Sequence, residues 1–200
     1  RTASTATTSR RRTAATILID LRPRSTAPTA TSTRCTRKLA EATSHGDGGP
    51  AVALNADFIG RAYPVSSPYL VGREKIREFA RAVGEVNPVF FDCVAARALG
   101  YPDLIAPPTF ATVVAMESSH VVMFDPDLGL DFTRVVHAEQ SYAYSRPICA
   151  GDELIVSTMI DNIRTVAGND MLTTKASIDT VNGEHVVTAT SVLVSRGVDS

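Results

Sequence analysis

An apolar segment near the middle of the chain, residues 109–123, most restricts the folds available to this sequence. Apolar residues fall on most sides of a helix here, namely Phe110, Ala111, Val113, Val114, Ala115, Met116, Val121, Val122 and Met123. Pro107 and Pro108 precede them and suit the first turn of a helix, where their missing N–H groups need no partner. Because a helix that is apolar nearly all round is usually buried, we expect a buried helix over 109–123, interrupted by one polar turn at 117–120.

Strand-like segments follow this helix in series, at 134–145, 153–165, 172–181 and 185–195. They are rich in Val, Ile, Thr and Tyr, the residues that strands favour. Asn182-Gly183, between the last two, is a strong signal for a tight hairpin. The connections are too short for helical crossovers, which predicts an antiparallel sheet. With a short strand at 69–71, the expected fold class is α+β, a long central α-helix wrapped by a curved antiparallel β-sheet.

A shorter amphipathic helix is predicted over residues 73–83. Ile76, Phe79, Ala80 and Val83 recur at helical spacing and indicate one buried stripe. Gly84 is a suitable helix stop, and a polar loop follows over 84–92. Asp92 is expected to cap a second short helix, residues 93–99.

The first 50 residues differ sharply in composition from the rest. They carry nine Lys/Arg against three Asp/Glu, and all twelve aromatic residues of the chain lie after position 50. A segment with so little to bury cannot offset its ordering entropy, so we expect residues 1–51 to be a disordered tail, and 52–200 to form the domain. We weigh a transit peptide or a nucleic-acid-binding arm lower. Our hypothesis is that this tail is not part of the native protein.

The cysteines, Cys35, Cys93 and Cys149, show no paired spacing. This pattern predicts neither a disulfide framework nor a metal site, and it favours a reducing, cytoplasmic location. No apolar run approaches the ~20 residues that span a bilayer. Neither a membrane nor nucleic acid is therefore an expected partner.

The polar loop carries a recognisable motif. Gly84-Glu85-x-Asn87-Pro88-Val89-Phe90-x-Asp92 resembles the hydratase signature of MaoC-like hot-dog proteins, Gly-Asp-x-Asn-Pro-(aliphatic)-His-x-Asp. Residues 73–80, 105–110 and 146–152 are similar to those of actinobacterial (3R)-hydroxyacyl-ACP dehydratase subunits of the A and C type. The resemblance covers 52–197. It implies a single hot-dog fold that works in dimers. It also implies a hydro-lyase role in fatty-acid elongation, dehydrating (3R)-3-hydroxyacyl thioesters or hydrating enoyl thioesters.

The resemblance also implies how the reaction is divided. The acyl group is carried on acyl carrier protein or coenzyme A, with no further cofactor. The signature His and Asp move protons, but here Glu85 stands at the Asp position as the candidate catalytic residue, and Phe90 stands at the His position. This implies a groove-forming subunit in a heterodimer with a subunit that retains both residues, a homodimer being the alternative. Backbone N–H groups opening the central helix would hold the thioester oxygen. The expected substrate-binding residues are Asn87, Phe90, Pro108, Thr109 and Phe110, with Ala111 as a further donor.

Two other functions stay open from the sequence. One is a self-sufficient hydratase or thioesterase using Glu85 and His137, since Glu139 two positions on would share the strand face of His137. The other is a non-enzymatic acyl-binding module. His120 is a weaker candidate on the polar turn, and Asn87-Pro88 could equally serve only to fix the loop.

Overall fold

The computed structural model describes residues 53–197. The expected tail, 1–51, and its boundary with the domain lie outside these residues. The helices are α1 (Arg73–Ala82), α2 (Cys93–Ala98) and α3 (Ala111–Met123). The strands are β1 (Tyr69–Leu70), β2 (Val135–Tyr144), β3 (Glu153–Val166), β4 (Asn169–Thr180) and β5 (His185–Ser195). Short 3₁₀ turns occur at Ala56–Phe58, Pro88–Phe90, Pro108–Phe110 and Phe132–Arg134.

The strands form one antiparallel sheet in the order β1-β3-β4-β5-β2, and α3 packs on β3, β4 and β5. This curled sheet around a helix confirms the predicted α+β hot-dog fold. The expected hairpin at Asn182-Gly183 is present, with Gly183 at φ 87°. Strand β4 begins three residues earlier than expected. The tight turn Ala167-Gly168, with φ 48° and 76°, lets the pairing between β3 and β4 continue up to Val166 and Asn169. Across residues 53–197, every helix is too short or too polar to cross a membrane.

Helix α3 is buried on one side only. Its inner face, Ala111, Val114, Ala115, Ser118 and Val122, packs against the sheet. Met116 and Val121, which lie outside this inner face, are 47% and 48% exposed. The prediction that the helix is buried on nearly all sides is therefore wrong for the single chain, since the sheet covers one side of it. Ser118, from the predicted polar turn, is buried and bonds the Thr158 hydroxyl at 2.6 Å.

Helix α1 packs on the opening of α3. Ile76 and Ala80 are buried, and the Phe79 ring lies edge-on to Phe110 with centroids 5.4 Å apart. Val83 was expected in the buried stripe but is 49% exposed. The helix ends at Ala82, and Gly84 at φ 76° turns the chain, so Val83 no longer continues the helical face.

An ion pair ties the start of α1 to the segment before α3. The Arg73 guanidinium donates to both oxygens of Asp103, at 2.9 and 2.5 Å, and the Leu104 N–H donates to the same carboxylate at 2.8 Å. These bonds, the one from Arg73 above all, hold the pKa of Asp103 well below its usual range. A carboxylate with a depressed pKa in the folded state stabilises the fold above its unfolded pKa, about 3.9, and loses that contribution as the pH falls further.

We therefore expect Asp103→Asn to lower the free energy of unfolding at pH 7, with the difference from wild type shrinking below about pH 4. Urea denaturation at pH 7, 5 and 3 measures this. Arg73→Gln is the matched variant, and its effect should not add to that of Asp103→Asn because both remove the same pair. A difference that stays constant from pH 7 to pH 3 would contradict the assignment.

Candidate active site

Two tyrosines of β2 hold the opening turn of α3. The Tyr144 hydroxyl donates to the Pro108 carbonyl at 2.6 Å. Burial raises the pKa of Tyr144 above its usual range, so this hydroxyl stays protonated. The Tyr142 hydroxyl bonds the Thr112 hydroxyl. Alternation along the strand places both rings on the concave face. Sequence reasoning missed them, although their i, i+2 spacing on a strand was a usable signal.

The free backbone donors at this turn are fewer than expected. The Phe110 N–H donates to the Pro107 carbonyl at 2.9 Å, because residues 108–110 form a 3₁₀ turn before the α-helix begins. The Ala111 N–H donates to the Thr109 carbonyl. Of the three expected donors, only the Thr109 N–H makes no hydrogen bond within residues 53–197. In the part of the chain that the structure describes, the turn therefore presents one free donor rather than three.

The loop 84–92 is fixed by its own polar residues. The Asn87 side chain accepts from the Val89 N–H at 3.2 Å and opens the 3₁₀ turn Pro88–Phe90, while its own surface is exposed. Asp92 accepts from the Val94 N–H at 2.8 Å and caps α2, as predicted. Glu85 is half-buried, and no hydrogen bond or ion pair within the described chain involves its carboxylate. The observed contact of Asn87 is thus with the loop itself.

The two phenylalanines proposed for substrate binding both lie in the core. Phe90 and Phe110 belong to the same buried cluster as Val89 and Ala111, and Phe110 is fully buried. Neither ring contributes to the wall of the cavity described next. Their shared cluster packs the loop 84–92 against the opening turn of α3. Both rings are thus packed within the core, and their role in substrate binding stays a prediction.

A cavity of about 340 Å³ lies between α3 and the concave face of the sheet. It begins at Thr112, in the first turn of α3, and reaches Met123 at the other end of the helix. Small side chains that face each other across the gap, Ala115 on the helix and Ala176 and Ala189 on the sheet, leave this space open. At the usual rise of a helix, its length is about 16 Å.

Both histidines singled out from the sequence reach this cavity. His120 lines it from α3, and its ring lies 5.9 Å from Phe124. His137 lines it from β2, and its Nε2 lies 3.1 Å from the Ser191 hydroxyl. The prediction that Glu139 shares the face of His137 is wrong. A bulge after His137 shifts the register, so that His137 pairs with Leu193 and Glu139 with Val192, and the two side chains face opposite sides.

Residues 57–189 match the family described as "FAS1-like, dehydratase domain region". The chain belongs to the MaoC-like hot-dog dehydratase family. It is also similar to two curated relatives named UPF0336 protein. The one from Streptomyces avermitilis is 51% identical over 148 residues, which are 74% of this chain and 99% of the relative. The one from Saccharopolyspora erythraea is 54% identical over 144 residues, 72% of this chain and 92% of the relative.

Solved structures of this dehydratase family are similar as well. A MaoC-like dehydratase is 36% identical with a TM-score of 0.66, and the match covers 71% of this chain and 43% of that one. The C-terminally truncated HadBC (3R-hydroxyacyl-ACP dehydratase) complex from Mycobacterium tuberculosis is 34% identical with a TM-score of 0.63, covering 69% of this chain and 97% of that one. The chain thus spans less than half of the first of these proteins.

Proposed function

We propose that this protein is the groove-forming subunit of a dehydratase for (3R)-3-hydroxyacyl thioesters of acyl carrier protein or coenzyme A, in fatty-acid elongation. The observation that carries the proposal is that Phe90 is buried in the core while the Thr109 N–H makes no hydrogen bond within residues 53–197. The chain keeps a donor for the thioester oxygen, while the position of the signature histidine holds a packing residue.

Dehydration of the thioester needs a proton taken from C2, a proton given to the departing C3 hydroxyl, and a donor for the negative charge that builds on the thioester oxygen. The Thr109 N–H at the start of a helix suits the last task, because the helix dipole also favours negative charge there. A phenyl ring can neither take nor give a proton. The proton transfers therefore fall to a partner with an intact His and Asp, and the reaction needs no resident cofactor.

The cavity supports an acyl-binding role for this chain. It opens at Thr112, three residues beyond the proposed oxygen donor, and continues along α3. Its helix wall includes Ala115, Met116 and Val122, and such apolar side chains gain free energy when they cover an alkyl chain. A thioester held at the opening turn would thus direct its acyl chain into the cavity.

The free edge of the sheet supports a partner subunit. Strand β2 is an edge strand of ten residues, and a long edge with unpaired backbone groups is normally covered in native proteins. Exposed apolar side chains lie beside it and on α3, namely Met116, Val121, Phe124, Phe132 and Val136. The rings of Phe124 and Phe132 stack with centroids 5.3 Å apart. A second hot-dog subunit that pairs with β2 would cover both features.

An assay of the chain alone and mixed with a MaoC-like subunit that carries the complete signature tests this proposal. We expect the mixture to co-elute in size-exclusion chromatography and to dehydrate (3R)-3-hydroxyacyl-CoA, while the chain alone shows little turnover. Full activity of the chain alone would contradict the subunit role. Failure to associate with any such subunit would contradict the proposed partner.

A further inference from the structure

A row of polar side chains crosses the floor of the cavity. Gln140 on β2 pairs with Ser191 on β5, and Ser191 pairs with Thr174 on β4. Paired residues of antiparallel strands point to the same face of a sheet. The three side chains therefore form one continuous row beneath α3, and all three line the cavity.

On β4 and β5, the rows on either side are apolar. Ala189 pairs with Ala176 on one side, and Leu193 pairs with Leu172 on the other, all of them buried. A polar row in the middle of a helix-facing surface costs free energy unless its groups find hydrogen-bond partners. Each of these three side chains therefore needs a hydrogen-bond partner.

Two hydrogen-bonding groups of the row have no partner in the described part of the chain. Ser191 bonds the His137 ring at 3.1 Å, and the Gln140 amide nitrogen donates to the Thr190 carbonyl at 3.1 Å. Within residues 53–197, no hydrogen bond uses the Gln140 amide oxygen or the Thr174 hydroxyl. The cavity wall has no Asp, Glu, Lys or Arg among the described residues. The row thus offers an acceptor and a hydroxyl to a neutral, oxygen-bearing group.

We infer that the cavity selects acyl chains that carry a hydroxyl or carbonyl oxygen opposite the row of Gln140, Ser191 and Thr174. This inference rests on the proposed function, which places the thioester at the opening turn. Gln140 lies four residues before Tyr144, which contacts that turn, and this separation is about 13 Å at the usual rise of a strand. An extended acyl chain reaches the row with a carbon on the order of ten atoms from the thioester.

The preference for oxygen-bearing acyl chains follows from the hydrogen-bonding groups that a saturated chain would leave unpaired. A saturated chain would displace water from the Thr174 hydroxyl and the Gln140 oxygen and return no hydrogen bond. An acyl chain with a hydroxyl or carbonyl oxygen beside the row would form these hydrogen bonds in place of the water. Sites built to bond a polar group discriminate against the analogue that lacks it for this reason.

Calorimetric titration of the full chain with decanoyl-CoA and with 10-hydroxydecanoyl-CoA tests the inference. We expect the hydroxylated thioester to bind about tenfold more tightly. Thr174→Val keeps the shape of the side chain and removes its hydroxyl, so it should reduce the preference to about twofold or less. Thr173→Val is the matched control. It lies on the same strand but pairs with Val192 on the outer face, and it should leave the preference unchanged.

Equal or tighter binding of decanoyl-CoA by the wild-type chain would overturn this inference and leave the proposed function standing. An unchanged preference in Thr174→Val would overturn the role of the row. Binding of neither thioester would overturn the acyl site itself, and with it the groove-forming part of the proposed function.

Discussion

Glu85→Gln is expected to lower the dehydration rate of the assembled enzyme by less than about threefold, whereas replacing the signature histidine of the partner subunit should lower it by about 10²–10⁴. The large effect is the typical contribution of one group that transfers a proton. Glu85 is half-buried on the turn after α1, and its backbone N–H donates to the Ala80 carbonyl at 2.8 Å. Within residues 53–197, its carboxylate makes no hydrogen bond or ion pair that would orient it toward a substrate. The measurement is kcat and KM of the two assembled variants.

Glu85→Asp gives this experiment its control, because it restores the shorter carboxylate of the signature. If proton transfer belongs to the partner, Glu85→Gln and Glu85→Asp will have similar, small effects. A loss of most activity in Glu85→Gln together with retention in Glu85→Asp would show that this chain transfers a proton. That result would favour the self-sufficient enzyme and contradict the proposed division of labour.

The elements that the sequence predicted are those set by local chemistry. The helical spacing of Ile76 and Ala80, the cap at Asp92 and the hairpin at Asn182-Gly183 all depend on residues close in the chain, and all are present. The antiparallel sheet was predicted from the short connections, and the hot-dog fold was implied by the family resemblance of the loop 84–92. Each of these features can be read without knowing which strand packs on which.

Features that depend on distant partners were not predictable in the same way. The burial of α3 depends on how far the sheet wraps, so Met116 and Val121 stay exposed in spite of their hydrophobicity. The bulge after His137 is one inserted residue, and periodicity alone cannot detect it. The contact of Tyr144 with Pro108 joins residues 36 positions apart. The cavity and its polar row exist only once β2, β4 and β5 are in register.

The opening turn of α3 also accounts for the largest effect on stability that we expect from a single side chain. Phe110→Ala should lower the free energy of unfolding by about 3–5 kcal/mol, since it removes a large buried ring and leaves a cavity. Phe110 is 0% exposed and lies edge-on to Phe79 in the cluster that joins α1, the loop 84–92 and the sheet. Urea denaturation followed by circular dichroism measures the change.

Phe124→Ala is the matched control, because the Phe124 ring is 63% exposed at the end of the same helix. For the chain alone it should cost less than about 1 kcal/mol. In the assembled enzyme we expect Phe124→Ala to weaken the association of the subunits more than Phe110→Ala does. Phe124 belongs to the exposed apolar surface beside β2, whereas Phe110 is already buried within one chain. If Phe110→Ala cost no more than Phe124→Ala in the isolated chain, the loop 84–92 would not be packed on the first turn of α3. The proposed oxygen donor at Thr109 would then lose the support that positions it.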